Sequence, residues 1–294
     1  MARLEGKRVV ITGSSRGLGR AFAMQMAAEG ASVVINGTNA DALTEVEGAI
    51  SKAGGQVVAV RGSVAEESIC QSLVNTCVEA FGGIDIMVNN AGIVRDRTIL
   101  KMTMQEWDDV IAVHLRGAFA CTRAAATAMR EAGSGHIVQI ISASGLAGGF
   151  GQANYAAAKA GMMGLLRTSV LELSRFGIRN NAFWPIAETD MTQVVFDRAK
   201  AQADDKGEQA PDPVELGFGK PEEVAQGLVW LTSDDAQRFD GQCMTCNGRK
   251  IALWTHPEER YVKFSDKALS VDAIAEHFRD ATPLPINRPQ RQPD

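Results

Sequence analysis

Tyr155-Ala156-Ala157-Ala158-Lys159 sets a phenol and an ammonium four residues apart, with Ser142 thirteen residues upstream. On a helix that spacing puts both groups on one face. An isolated phenol has a pKa of about 10 and exchanges protons poorly at neutral pH. A fixed cation beside it favours the phenolate and lowers that value. The expectation is therefore a Tyr155 tuned by Lys159 to trade a proton with an alcohol or carbonyl oxygen, with the Ser142 hydroxyl bonded to the same oxygen. Equally, the spacing alone fits an amphipathic helix with one exposed lysine, so the assignment rests on the elements around it.

The chain starts with such an element. The β-branched run Val9-Val10-Ile11 leads into Thr12-Gly13-Ser14-Ser15-Arg16-Gly17-Leu18-Gly19, then a helical pattern ending near Gly30, then Val33-Val34-Ile35. This is a βαβ unit with a glycine turn at the helix start. Gly13 allows the tight turn, Gly17 lets backbone amides approach a pyrophosphate, and Gly19 allows helix to pack on strand. The helix N-terminus adds unpaired amides and a positive dipole end. An NAD site expects a carboxylate at the end of the second strand for the ribose hydroxyl. That strand instead ends Asn36-Gly37-Thr38-Asn39, while Arg16 lies in the glycine turn. A guanidinium suits a 2′-phosphate, which favours NADP. The other reading leaves Arg16 as a solvated loop charge and lets NAD bind through Thr38 or the backbone.

Strand-like and helix-like segments alternate along the whole chain. Strands are expected at 7–12, 31–36, 56–61, 84–89, 136–141, 179–184 and 242–246, and helices at 17–29, 39–53, 66–81, 104–131, 152–175 and 221–233. Continuous apolar runs such as Ile84-Asp85-Ile86-Met87-Val88 fit strands covered on both faces. The pattern predicts an α/β Rossmann-type fold, a doubly wound parallel sheet with helices on both faces. Ligands then belong at the carboxyl ends of the strands, where Gly13, Asn89 and Ser142 fall. Residues 185–219 are expected to be one long loop, either covering the substrate or a surface insertion. The expected division is a catalytic domain over 1–250 and a C-terminal extension over 251–294. The extension has an amphipathic stretch at Ser270–Arg279 and four of the nine prolines in the last twelve residues, so its end is expected to be extended or disordered.

With 294 residues and 45% apolar content, the chain can bury one large core. A net charge of −5 without basic runs argues against a nucleic-acid partner. No apolar stretch approaches a membrane span, and Met1 to Gly6 leaves no room for a signal peptide before the first strand, so a cytoplasmic protein is expected. Cys243 and Cys246 form an isolated C-x-x-C whose members should face opposite sides of a strand, and no metal site is expected.

Taken together, Thr12-Gly13-x-x-x-Gly17-x-Gly19, Asn89-Asn90-Ala91-Gly92, Ser142 and Tyr155-x-x-x-Lys159 resemble the short-chain dehydrogenases/reductases over roughly residues 5–250. The resemblance implies a nicotinamide cofactor and reversible hydride transfer between an alcohol and a ketone. It makes Tyr155 the acid/base, Ser142 the group orienting the substrate oxygen, and Lys159 the group that lowers the Tyr pKa and holds the nicotinamide ribose. It implies cofactor contacts from Gly13, Ser15, Arg16, Gly17, Leu18, Gly19, Thr38, Ser63, Val64, Asn90, Ala91, Gly92, Pro185, Ile186 and Thr189, besides Tyr155 and Lys159. Three positions depart from the family pattern. His114 replaces a helix Asn that supports the Lys and a relay water, and its charge is expected to be pH-sensitive. Ser63 replaces an Asp at the adenine, and Ile186 follows Pro185 where Gly is usual.

Val113-His114-Leu115-Arg116-Gly117, Ser142 to Gly145, Gly151 to Tyr155, Met191-Thr192-Gln193 and Trp254 resemble the (3R)-hydroxyacyl-CoA dehydrogenase domain of peroxisomal multifunctional enzymes. In that branch His114 is a variant of the site. The branch favours NAD through an Asp where this chain has Gly37. The implied substrate is a 3-hydroxyacyl or 3-oxoacyl thioester, with a hydroxysteroid dehydrogenase, a β-ketoacyl carrier-protein reductase and a non-catalytic nucleotide-binding scaffold as alternatives. The resemblance also implies a homodimer or homotetramer, built through 104–131 and 152–175.

Overall fold

The β-branched runs become strands because each is apolar on both sides and helices cover both sides. In this computed structural model, which describes residues 2–282, they are β1 (Arg8–Ile11), β2 (Ser32–Gly37), β3 (Val57–Arg61), β4 (Ile86–Asn89), β5 (Gly135–Ile140), β6 (Ile178–Pro185), β7 (Cys243–Cys246) and β8 (Ile251–Leu253). The helices are α1 (Gly17–Ala28), α2 (Ala40–Lys52), α3 (Glu67–Phe81), α4 (Met104–Ile111), α5 (Gly117–Ala132), the short α6 (Ser144–Ala147), α7 (Ala153–Leu173), α8 (Gln193–Lys206), α9 (Pro221–Thr232) and α10 (Val271–His277).

The sheet order is β3-β2-β1-β4-β5-β6-β7-β8. The pairs from β3 to β7 are parallel, and β8 returns antiparallel to β7. The order reverses between β1 and β4, and the crevice beyond the carboxyl ends of these two strands is where such sheets take ligands. On one face Val9, Ile11, Val33, Ile35, Val88 and Phe183 pack with Phe22 and Met26 of α1 and Leu228 of α9. On the other, Val10, Val34, Met87 and Ile137 meet Leu73 of α3 and Met129 of α5, while Ile141, Ala182 and Trp184 meet Met162 and Leu166 of α7. Successive strand residues alternate between the two faces, which is why the runs read as unbroken apolar sequence.

Three expectations change. The segment 104–131 is not one helix: Ala112–Arg116 forms a π-helical turn between α4 and α5. A single-turn π-bulge inserts one residue into the ladder, a local event that hydrophobic periodicity cannot register. Residues 185–219 are not one loop, since α8 occupies Gln193–Lys206 and ends on Gly207 in the left-handed region at φ 67°. Its alanine, glutamine and lysine content favours helix. Phe196 then packs edge-on to Phe218, with ring centroids 5.0 Å apart, closing the segment on itself. The sheet also has an eighth strand, so a division at residue 250 falls inside the β7–β8 hairpin. The amphipathic stretch at 270–279 forms α10, capped by the Ser270 hydroxyl accepting from Ala273 N. The proline-rich end lies outside the described residues.

The Cys243 and Cys246 side chains enter cores on opposite faces of the sheet, and both thiols are free. Among the described residues no helix is long and apolar enough to cross a membrane. Trp254, just past β8, packs at a 52° tilt against Trp184, with ring centroids 5.5 Å apart, and donates from Nε1 to Thr245 Oγ1 at 2.7 Å. Replacing Trp254 with Ala removes the anchor of the hairpin. It is expected to lower unfolding stability by about 1–3 kcal/mol in a urea titration.

Candidate active site

The glycine turn is shaped by close packing. A Cβ on Gly13 would lie 2.7 Å from Ala91 Cα, and one on Gly19 would lie 2.1 Å from Gly13 O. Thr12, at the end of β1, and Asn90, just past β4, fix the turn. Thr12 Oγ1 accepts from the backbone N of Asn90 and Ala91 at 2.9 and 3.0 Å, and Asn90 Nδ2 donates to Thr12 O and Gly13 O at 2.9 and 3.0 Å. Asn36 joins the tips of three strands, accepting from Gly13 N at 3.2 Å and donating to Val60 O and Gly62 O at 3.1 and 3.0 Å. Sequence reading noted Asn36 only as the absence of an acid.

α1 then begins with no side-chain cap and no acidic residue in its first turn. Gly17 faces Thr189 across a gap, with φ at 53° and the nearest Thr189 carbon 3.8 Å from where a Cβ would stand. An uncapped helix N-terminus behind a glycine turn fits a pyrophosphate. At the tip of β2 the place of an acidic side chain is filled, since a Cβ on Gly37 would lie 2.7 Å from Ser15 Oγ. Thr38 is exposed there, and Arg61 Nε donates to its carbonyl at 3.3 Å. Arg16 is exposed and lies 3.6 Å from Asp190. Ser63 Oγ accepts from Ala65 N at 3.3 Å, and Val64 packs against Gly117. Leu18 packs on the α1 core. Pro185 ends β6, and Ile186 is held by its N donating to Cys246 O at 2.9 Å. Thr189 N donates to Thr192 Oγ1 at 2.8 Å.

α7 carries Tyr155 and Lys159 on one face. α6 presses on it closely enough that a Cβ on Gly145 would lie 2.7 Å from the Lys159 backbone carbon. Lys159 Nζ lies 5.6 Å from the centroid of the Tyr155 ring, and it donates to Ile140 O at 2.5 Å. The side chain is buried, and no carboxylate pairs with it among the described residues. Burial lowers its pKa to about 7. Burial likewise raises Tyr155 to about 12, against an opposing hydrogen bond with the Ser142 hydroxyl and with a further rise from the Asp96 charge. The expected lowering of the phenol is therefore absent in this state. The ammonium is turned to a carbonyl and is itself close to losing its proton, so it does not offset desolvation of the phenolate.

His114 sits in the π-helical turn and is buried. Its ring meets Tyr155 edge-on, with centroids 5.1 Å apart at 88°. Nε2 faces Ile93 N at 2.9 Å and Ile93 O at 2.7 Å, so the ring fastens the loop after β4. Gly92 leaves room for it, since a Cβ there would lie 2.3 Å from His114 Cε1. Burial first, and the Lys159 charge second, lower the His114 pKa to about 3. The expected pH-sensitive charge is thus corrected: the imidazole is neutral throughout the physiological range. Asn154, one residue before Tyr155, was missed. Its Nδ2 donates to Arg95 O and Glu106 O at 3.1 and 2.9 Å, and its Oδ1 accepts from Tyr155 N at 2.7 Å. Its signals were its adjacency to Tyr155 and its place in the Gly151 to Tyr155 string.

A family model described as short chain dehydrogenase matches residues 7–200. The hydroxyacyl-CoA dehydrogenase ChsB1 of Mycobacterium tuberculosis is 40% identical over 273 residues, which is 88% of this chain and 83% of that protein. The 3-oxoacyl-(acyl-carrier-protein) reductase FabG of Staphylococcus aureus is 38% identical over 246 residues, 82% of this chain and 97% of that protein. The crystal structure of a short chain dehydrogenase from Mycobacterium avium superimposes with a TM-score of 0.76 at 37% identity, covering 96% of this chain and 97% of that one.

His114 is neutral when folded and titrates near pH 6.5 when unfolded, and buried His136 is also pushed well below its usual value. The unfolded chain then binds more protons, so stability declines as pH falls below about 6.5. In urea titrations between pH 7 and 4, His114→Asn is expected to show a shallower decline than the parent.

Proposed function

The chain belongs to the short-chain dehydrogenase family, and on that premise we propose that it interconverts 3-hydroxyacyl and 3-oxoacyl thioesters with NADP. The observation that carries the catalytic reading is Tyr155 within reach of Ser142 and one turn before the buried Lys159, beside an uncapped helix N-terminus suited to a dinucleotide. The bound nicotinamide would supply or accept the hydride at the substrate carbon.

Ser142 orients the substrate oxygen. Its Oγ accepts from Ser144 N at 3.3 Å, and its O–H, which meets the Tyr155 phenol here, would turn to the incoming oxygen. Tyr155, protonated at neutral pH, gives its proton to that oxygen in the reductive direction. In the oxidative direction the phenolate is the acceptor, so that direction gains from higher pH. Lys159 supplies the charge that a phenolate and a ribose hydroxyl would share. His114 acts as a positioning residue, holding Ile93 and the edge of Tyr155 in place without titrating.

The proposed preference for NADP rests on the exposed Arg16 of the glycine turn, on Arg61 beside Thr38 at the tip of β2, and on Ser15 filling the place of an acid at Gly37. Coenzyme A is the proposed thioester carrier, because the relative named for it matches 88% of this chain against 82% for the carrier-protein reductase. The proposed assembly is a homo-oligomer through α5 and α7, which expose Phe119 and Leu171.

Tyr155→Phe is expected to lower kcat about 100-fold or more on acetoacetyl-CoA, followed by cofactor absorbance. Turnover near the parent's would remove the phenol from proton transfer. Arg16→Ala is expected to raise the KM for NADPH about tenfold and leave that for NADH nearly unchanged. Equal use of the two cofactors by both proteins would end the phosphate argument.

A further inference from the structure

Cys70 of α3 and Cys121 of α5 are buried in the same core cluster, and neither takes part in the site described above. The Cys70 thiol donates to Val64 O at 3.2 Å and lies 3.9 Å from Gly117 O. Cys121 stands four residues after Gly117. Helix side chains lean toward the N-terminus, so its thiol lies over that same turn of α5. There the two thiols share a hydrogen bond. The helices meet without bulk between them. A Cβ on Gly117 would lie 2.9 Å from Val64 O, and Ala120 and Ala124 are buried in the same contact. A disulfide imposes that condition, since it joins Cα atoms only about 4–7 Å apart.

The two thiols are unequal. The hydrogen bond with Cys121 holds Cys70 below the ordinary thiol value against burial, and the Arg116 charge adds to it while Glu67 opposes it. Cys121 is raised by the same bond and by burial. Burial also raises Cys77 and Cys243 to about 12, and raises Cys246. Cys77 is an internal control. It lies two turns along α3 from Cys70 in the same cluster, and its charged surroundings are Arg8 and Asp85, not a thiol. A sulfur inclined to thiolate and placed beside a second cysteine is the arrangement that oxidants act on. A cavity of about 100 Å³, lined in part by Val64, Ala65, Glu67 and Arg116, lies at the α3–α5 contact. It has room for a solute little larger than water.

We propose that Cys70 and Cys121 are an oxidative modification site, closed to a reversible disulfide by hydrogen peroxide, and that the bond loosens the loop between β3 and α3. The Cys70 thiolate attacks one peroxide oxygen and the O–O bond breaks. The departing hydroxide takes up the proton that Cys70 released and becomes water, leaving Cys70 as a sulfenic acid. The Cys121 sulfur then attacks the Cys70 sulfur, the S–O bond breaks, and the second hydroxide leaves as water with the Cys121 proton. The two thiols together lose two electrons, and the peroxide gains them. The product has no S–H for Val64 O, so the loop carrying Ser63 and Val64 loses an anchor. Its effect on dinucleotide binding rests on the cofactor reading above, whereas the bond itself does not.

The test exposes the full reduced chain to hydrogen peroxide, denatures it, blocks remaining thiols with iodoacetamide and maps the peptides by mass. The expected product is a Cys70–Cys121 peptide pair lighter by two hydrogens and reopened by dithiothreitol, with Cys77, Cys243 and Cys246 fully alkylated. Cys121→Ser is expected to leave a Cys70 sulfenic acid that dimedone labels, and Cys70→Ser to leave Cys121 unlabelled. NADPH affinity, read by fluorescence, is expected to fall about three- to tenfold in the oxidised parent. In peroxide-treated Cys70→Ser, whose hydroxyl can still donate to Val64 O, it is expected to hold. Five alkylated cysteines after peroxide, or a bond between any other two, would overturn the site. A bond that forms with NADPH affinity unchanged would overturn the loop effect. A parent that binds neither NADPH nor NADH would count against the cofactor reading instead, because the bond is read by mass alone.

Discussion

Burial of one ammonium without a carboxylate governs the architecture around it. Lys159 lies beneath the carboxyl edge of the sheet, donating to the Ile140 carbonyl and the Met162 sulfur and, among the described residues, facing no carboxylate. Withdrawing a charge from water is unfavourable unless something compensates, and here nothing charged does. The consequence is a lysine poised near neutrality and a phenol that keeps its proton. Such a pair is prepared and not engaged. A phenolate or a polar ligand arriving in the cleft would stabilise the ammonium, and the ammonium would stabilise the phenolate in turn.

The surrounding chain holds that arrangement rigidly through backbone contacts. Gly145 lets α6 lie directly on α7, Asn154 ties α7 to the loop after β4 and to α4, and His114 pins Ile93 from the π-helical turn. On the nucleotide side, Thr12, Asn36 and Asn90 place their polar atoms on the glycine turn and on strand tips. These side chains are spent on backbone groups that would otherwise be unsatisfied where the strands end. The ligand cleft is thus shaped by residues that do not themselves need to touch a ligand.

Much of this was visible in the sequence because the signals were periodic or positional. Val9 to Ile11 and Ile137 to Ile141 announced strands covered on both faces, and Tyr155 with Lys159 announced a shared helix face. The π-helical turn was hidden because the residues on either side of it, Ile111 and Gly117, keep ordinary helical dihedrals and no residue type marks the inserted one. α8 was hidden because Gln193 to Lys206 is polar and buries little, so no apolar stripe marked it. The protonation states were hidden for a different reason. Spacing predicts which groups approach each other, whereas desolvation depends on everything else that surrounds them. That is why Tyr155 moves up while its nearest cation moves down.

The reversed final strand has one more effect. Hydrogen-bonding groups along the outer side of β7 are occupied by Met244, Thr245 and Cys246 pairing with Leu253, Ala252 and Ile251. What remains at that margin is a ribbon only three residues long. Short terminal strands offer little template for uncontrolled strand addition. The hairpin therefore works as a selvedge that keeps a large parallel sheet from being extended by a stray polypeptide at the β7 side, opposite β3.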